Sequence, residues 1–186
     1  TVQALHSRPT VVGARVKRIE DPRLLTGQGS FVDDRTVPGL LHVALLRSDQ
    51  AHARILSIDG AAARAMPGVA AVLTADDLAD VGVLEAVSRM KSYRATQIRP
   101  LAAGKVRYVG EPVAAVIADS RYLAEDARDA IVVDYEPLPA ASDPEQAALA
   151  DAPLLHEAAG SNILAERTFE RGEVDAAMAQ SPVRIR

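Results

Sequence analysis

Three stretches of this 186-residue chain carry residue types that could do chemistry. In "RSDQAHAR", Ser48, Asp49 and His52 are by type the nucleophile, orienting acid and base of a hydrolytic triad. Side chains so close along one extended segment can hardly form the nucleophile-base-orienter chain, so a turn between two strands is the expected role. In "VRYVGEPVAAVIAD", Gly110-Glu111-Pro112 sets a carboxylate at the entrance to an apolar run. Glu111 could there be an acid or base of raised pKa, or could bind a backbone amide at a turn; structural carboxylates far outnumber catalytic ones, which favours the turn. In "EDPRLLTGQGSFVDD", Gly27 and Gly29 could let the backbone approach a phosphate. The third glycine of a dinucleotide fingerprint is missing, no Gly-Lys-Ser/Thr follows, and an anion would meet Asp33 and Asp34 at once. The four histidines, His6, His42, His52 and His156, include no pair at the i, i+3 or i+4 spacing of a helical metal site.

Composition narrows the setting. Cysteine is absent, which removes disulfides, thiolate nucleophiles and iron-sulfur ligation by this chain. Aromatic residues make up 3%, too few for stacking platforms that would hold single-stranded nucleic acid. With 21 basic against 25 acidic residues, the net charge of -4 gives no general attraction to phosphate backbones or anionic membranes. The longest apolar runs, such as Val113 to Ala118, fall far short of the roughly 20 residues that span a bilayer. The first residues lack the charged, apolar and small-residue regions of a secretory signal, so a cytoplasmic location is the expectation and residues 1–12 read as a flexible arm.

The elements that must position these residues follow from periodicity. "LLHVALLRS", Leu40 to Ser48, is continuously apolar and predicts a central strand covered on both faces. A strand over "HARILSID", a short helix capped by Asp59 and a strand over "VAAVLT" make a first β-α-β unit. Thr74 to Asp77 resembles a capping box. Residues 79 to 107 show no sustained period and predict a long excursion. "PVAAVIADS", a helix capped by Ser120 with Leu123, Ala127, Ala130 and Ile131 on its buried stripe, and "IVVDYE" make the second unit. Arg121 with Glu125, and Glu125 with Arg128, decorate the solvated face. After a proline-rich connection and a short alanine-rich helix come an extended segment, a turn at Gly172, a helix and a nascent strand from Ser181 to Arg186.

Taken in order, Arg18, "EDPRLLTGQGSFVDD", "PGLLHVALLRS", "AHARI", "PGVAAVLTADDL", "VRYVGEPVAAVIAD" and "VVDYEPLPA" resemble the N-terminal part of molybdopterin-binding large subunits of the xanthine dehydrogenase, aldehyde oxidase and carbon monoxide dehydrogenase family. The resemblance implies a mixed α/β fold, the α/β hammerhead, over residues 13–160, with 161–186 beginning the molybdopterin-binding domain. It implies that Gly27 and Gly29 shape a turn, that Phe31 anchors it, and that Asp33-Asp34 lead into the Pro38-Gly39 turn. Asp49-Gln50 and Gly172-Glu173 depart from the family's usual residues. The activity implied is that of an oxidoreductase hydroxylating an aldehyde, purine or N-heterocycle, or oxidising carbon monoxide, with oxygen from water. Its molybdopterin cofactor sits elsewhere in the large subunit, and its partners are an Fe-S small subunit and an FAD-binding medium subunit or domain. The family's catalytic glutamate and pterin-binding segments have no counterpart here, so no catalytic, cofactor-binding or metal-ligating residue is assigned and the chain alone is expected to be inactive. The competing expectation, from the same absence of catalytic residues, is a free-standing α/β interaction or regulatory protein.

Overall fold

The computed structural model describes Gly13, residues 15–183 and Ile185. The expected arm over 1–12 and His6 lie outside the described residues, as do Arg184 and Arg186 of the alternation Val183 to Arg186. The chain forms two compact units divided between Leu40 and Leu41. In the first, the opening motif begins with a single helical turn, α1 (Asp21–Leu25), that the sequence reading took as plain turn. Pro22 suits its start, where a missing N–H needs no partner. Gly27 follows at φ +72°, a left-handed conformation that glycine adopts without strain. The Phe31 ring lies 3.4 Å from where a Cβ on Gly29 would stand, yet Phe31 remains 66% exposed, so it braces only this turn. Asp34 closes the following 3-10 turn by accepting the Phe31 N–H at 2.9 Å.

The second unit holds the strands. They are β1 (His42–Arg47), β2 (Ala53–Asp59), β3 (Val69–Leu73), the two-residue β4 (Leu84–Glu85), β5 (Gln97–Ile98) and β6 (Lys105–Val106), then β7 (Pro112–Ala118) and β8 (Val132–Pro137). Two three-stranded sheets run β1-β7-β3 and β6-β2-β8, and β4 pairs with β5 in a small ribbon. Every pairing is antiparallel. Both β-α-β orders are present, but each unit crosses from one sheet to the other: β2 and β3 belong to different sheets, and so do β7 and β8. The central strand of the first sheet is β7, and β1, expected there, lies at its edge. The cause is coverage. Val113 to Val116 are all buried on β7, whereas Val43 on β1 is 62% exposed and only Ala44 of that strand is buried. Continuous hydrophobicity alone does not distinguish the two strands.

Helix α2 (Ala61–Arg64) starts where Asp59, the last residue of β2, accepts the Ala61 N–H at 2.9 Å. Helix α3 (Arg121–Asp129) starts where the Ser120 hydroxyl accepts the Leu123 N–H at 3.2 Å. Its buried stripe contains Ala124 and Ala127, packed on Ala44, Ala114, Val116 and Ala118 of the sheet. Alanines on both sides let helix and sheet approach closely, and the fully buried Val116 contributes about 2 kcal/mol of apolar transfer. Arg128 pairs with its neighbour Asp129 at 2.8 Å. Thr74 donates its N–H and its hydroxyl to Asp77 at 2.7 and 3.0 Å, the expected box around a 3-10 turn, and those bonds hold the Asp77 carboxyl below its ordinary range. Residues 79 to 107 are the expected excursion, with only the β4-β5 ribbon and β6 as regular structure. Beyond β8, α4 (Pro144–Ala147) is capped by Asp143, which accepts from Glu145 and Gln146. Gly172 turns at φ +76° before α5 (Val174–Gln180), in which every residue is exposed. No strand forms over the described residues from Ser181 onward.

Candidate functional site

The Gly110-Glu111-Pro112 turn is tied to the end of β1 and to Arg107 by several hydrogen bonds. Gly110, at φ +93°, donates its N–H to Ser48 O at 2.7 Å, and Ser48 returns its own N–H to Glu111 O at 2.9 Å. Arg47 Nη1 donates to Gly110 O at 2.8 Å. The Glu111 carboxylate accepts the backbone N–H of Arg107, while Arg107 Nε donates to Leu155 O at 3.0 Å. Glu111 therefore closes a turn by binding a backbone amide, one of the two roles its position offered.

The triad-like residues stay apart chemically. Ser48 is 3% exposed, and its hydroxyl donates to Gln50 O and accepts the Gln50 N–H, closing a local turn. Asp49 accepts from the Gln50 amide. His52 is 6% exposed and its Nδ1 faces Pro139 O at 2.7 Å, so Nδ1 carries the hydrogen and donates it. Its buried Nε2 has no partner. His52 thus ties the β1-β2 loop to the segment after β8, where Leu138 N–H also donates to His52 O. Burial pushes the nearby Tyr135 phenol above its usual value, against a hydrogen bond with Ser48 that draws it down.

What the sequence did not reveal is a cleft of about 510 Å³ beside this turn. Gln97, Arg99, Arg107, Tyr108, Glu111 and His156 are among its lining residues. Burial, and next the charge of Arg107, hold His156 below its ordinary 6.5. The cleft brings the excursion against the strap that follows α4. Lys105 pairs with Glu157, holding that carboxyl low, and Arg94 Nη1 donates to Ala159 O at 2.8 Å. Asn162 stitches the strap to itself and to the end of α4 by accepting from Leu155 N and donating to Pro153 O and Ala147 O. No local signal links His156 to Arg107, because they lie far apart in sequence.

The donor set of this cleft does not suit a metal ion. Glu111 and Glu157 are already held by donors of the chain, and among the described residues no three carboxylate or imidazole side chains converge as metal ligands. His42 sits at the start of β1, opposite Ala118 in register, and joins neither the cleft nor His52. No helix among the described residues is long and apolar enough to cross a membrane.

Two small antiparallel sheets, linked by two helical crossovers and clasped by a strap, define a hammerhead-type mixed α/β module. Residues 26–139 match the family described as aldehyde oxidase and xanthine dehydrogenase, a/b hammerhead domain, and the chain belongs to that family. It is 40% identical over 185 residues to the 6-hydroxypseudooxynicotine dehydrogenase complex subunit gamma of Paenarthrobacter nicotinovorans, covering 97% of this chain and 23% of that protein. Among solved structures, quinoline 2-oxidoreductase from Pseudomonas putida 86 superposes with a TM-score of 0.81 at 42% identity, over 90% of this chain and 21% of that one. The Cu,Mo-CO dehydrogenase in its carbon monoxide reduced state gives a TM-score of 0.69 at 38% identity, over 92% and 23%. The chain thus spans about a fifth of the length of the relatives it matches.

Proposed function

We propose that this chain is the N-terminal scaffold and contact domain of a molybdenum hydroxylase large subunit. Residues 13–160 would form the hammerhead and 161–186 begin the molybdopterin-binding domain. The observation that carries the reading is one-sided coverage: nearly all of this chain aligns with relatives of which it is only about a fifth. Two features of the fold support it. Alternation places Val43, Leu45, Ala71, Leu73, Ala115 and Ile117 on the face of the β1-β7-β3 sheet opposite α3, in register as two aliphatic rows. Such a face belongs in an interface between domains. Helix α5 carries Val174, Ala177 and Met178 at helical spacing, and all three are exposed, as befits a helix whose packing partners lie in a following domain.

In the whole enzyme the reaction class would be hydroxylation of an aldehyde, purine or N-heterocycle, or oxidation of carbon monoxide, with oxygen taken from water. Molybdopterin would supply the redox chemistry from the rest of the large subunit, with Fe-S and FAD subunits carrying electrons away in the cytoplasm. The residues of this chain would position and connect, contributing no catalytic or cofactor-binding side chain. Metal analysis and dye reduction on the lone chain, then on the chain co-produced with the remainder of the large subunit, test this. Molybdenum and turnover only in the co-produced pair are expected. Stoichiometric molybdenum in the lone chain would overturn the scaffold role, and failure of the two parts to associate would favour a free-standing interaction protein.

A further inference from the structure

The strap, residues 153–166, is ordered without being deeply anchored. Among the described residues after Ile131 none is buried, so the strap adds no fully covered side chain to either sheet's core. It is fastened to the excursion by a few polar ties. Arg94 donates its N–H to Leu164 O and its Nη1 to Ala159 O, both at 2.8 Å, and Ser92 Oγ donates to Glu166 O at 3.0 Å. Arg107 Nε donates to Leu155 O at 3.0 Å, and Lys105 pairs with Glu157. The excursion is the fixed side, with Leu101, Ala102 and Val106 buried in the unit. A segment held by a few such ties, with no fully buried side chain, opens at a cost below that of global unfolding. His156 stands between the two residues that Arg107 and Lys105 hold, Leu155 and Glu157. Its ring is half-buried against the cleft and has no hydrogen-bond partner among the described residues.

We propose that the strap is an acid-released latch: protonation of His156 detaches residues 153–166 from the excursion as a local event while both sheets stay folded. The charged groups around the imidazole decide the direction. Lys105 on β6 and Arg107 just after it are positive, and Glu111 before β7 and Glu157 on the strap are negative. Glu85 and Arg99, which line the same cleft, are opposite in charge, and Tyr108 is neutral near pH 7. Both nearby carboxylates are already engaged, Glu111 by the Arg107 N–H and Glu157 by Lys105. An imidazolium therefore either stays uncompensated beside Arg107 or takes Glu157 from Lys105, and each course weakens a tie. Burial first, and Arg107 next, hold the ring below its ordinary 6.5 in the closed strap, and release into water removes both penalties. The open strap thus binds a proton more tightly than the closed one, and falling pH favours opening. Opening uncovers the cleft wall and slackens the chain that leads to α5. Both halves of the latch lie within this chain, so it acts without a partner and goes beyond the scaffold reading.

Hydrogen exchange of the full chain, followed by mass spectrometry at about pH 7.5 and 5.5 and corrected for the intrinsic rate at each pH, tests the latch. Peptides spanning 153–166 contain the Leu155 and Gly160 amides, both hydrogen-bonded in the closed strap. On acidification they should lose protection at least about two-fold, toward the roughly ten-fold ceiling for one group of ordinary pKa titrating over this interval, while peptides of β7 keep theirs. His156→Gln, which stays neutral, should abolish the loss in the strap. Protection in β7 reports that this variant is folded, and His156→Asn serves as a second neutral replacement. Arg107→Met, which removes a tie, should leave the strap less protected at both pH values. Unchanged strap protection in the wild type, an equal loss in β7, or a loss that persists in both His156 variants would each overturn the latch. The scaffold reading would survive any of these outcomes, because it is tested by molybdenum content and association rather than by exchange.

Discussion

Residues 112 to 131 and residues 79 to 107 are neighbouring stretches of one chain with opposite fates. The first, β7 followed by α3, buries Ala and Val side chains together with Ile131. The second contains Val81, Leu84, Val87 and Ile98, all exposed, with Leu101, Ala102 and Val106 as its buried anchors. Hydrophobic content does not separate them. What does is whether the apolar positions repeat at a period that places them on one face, because only then can a strand or helix bury them together. Burial is concentrated in the periodic stretch, whereas the aperiodic one leaves several of its apolar side chains exposed.

Substitutions on the two sides should differ accordingly. Ala127→Asp, at a fully buried position against the β7 core, should destabilise by about 3 kcal/mol or more, read as a collapse of the urea midpoint. An unchanged midpoint would place that face in solvent and break the contrast. Val116→Ala should cost about 2 kcal/mol through the cavity it leaves. Ser120→Ala removes the acceptor of the Leu123 N–H and should cost about 1 kcal/mol. Leu84→Ser with Val87→Ser should stay within about 0.5 kcal/mol of wild type, and a larger loss would show that the ribbon packs within its own unit. The smallest effect concerns His156. Its folded pKa lies below the ordinary 6.5, so the unfolded chain takes up that proton first and stability falls as pH drops below about 6.5 toward the lowered value. Urea midpoints at about pH 7.5 and 5.5 should fall less in His156→Gln than in wild type.

The same contrast explains which features were legible beforehand. Asp59, Asp77 and Ser120 were readable as caps because each acts within three residues of itself. The stripe on α3 was readable in outline, although Ala124, only 1% exposed, went unnoticed beside the larger Leu123. The ordered series of motifs gave the family, which matching residues 26–139 bear out. Which strand sits at the centre was not readable, since β1 and β7 are both apolar and only pairing across the whole chain decides it. Nor was the cleft, whose two sides, Arg107 and His156, meet only after the strap returns.

The crossing of each β-α-β unit between sheets also sets an order of events in time. β1 ends at Arg47 and β3 at Leu73, yet the strand that pairs with both, β7, does not begin until Pro112. β2 likewise waits for most of its ladder until β8 has been made. A chain emerging from the ribosome N-terminus first therefore holds unpaired apolar strands through the whole synthesis of the excursion, and its pairings are long-range ones that close slowly. Until β7 arrives, β1 and β3 are open edges available to other chains. The vulnerable species in the life of this protein is thus the nascent one, and a chaperone that shields β1 and β3 would act before β7 leaves the ribosome.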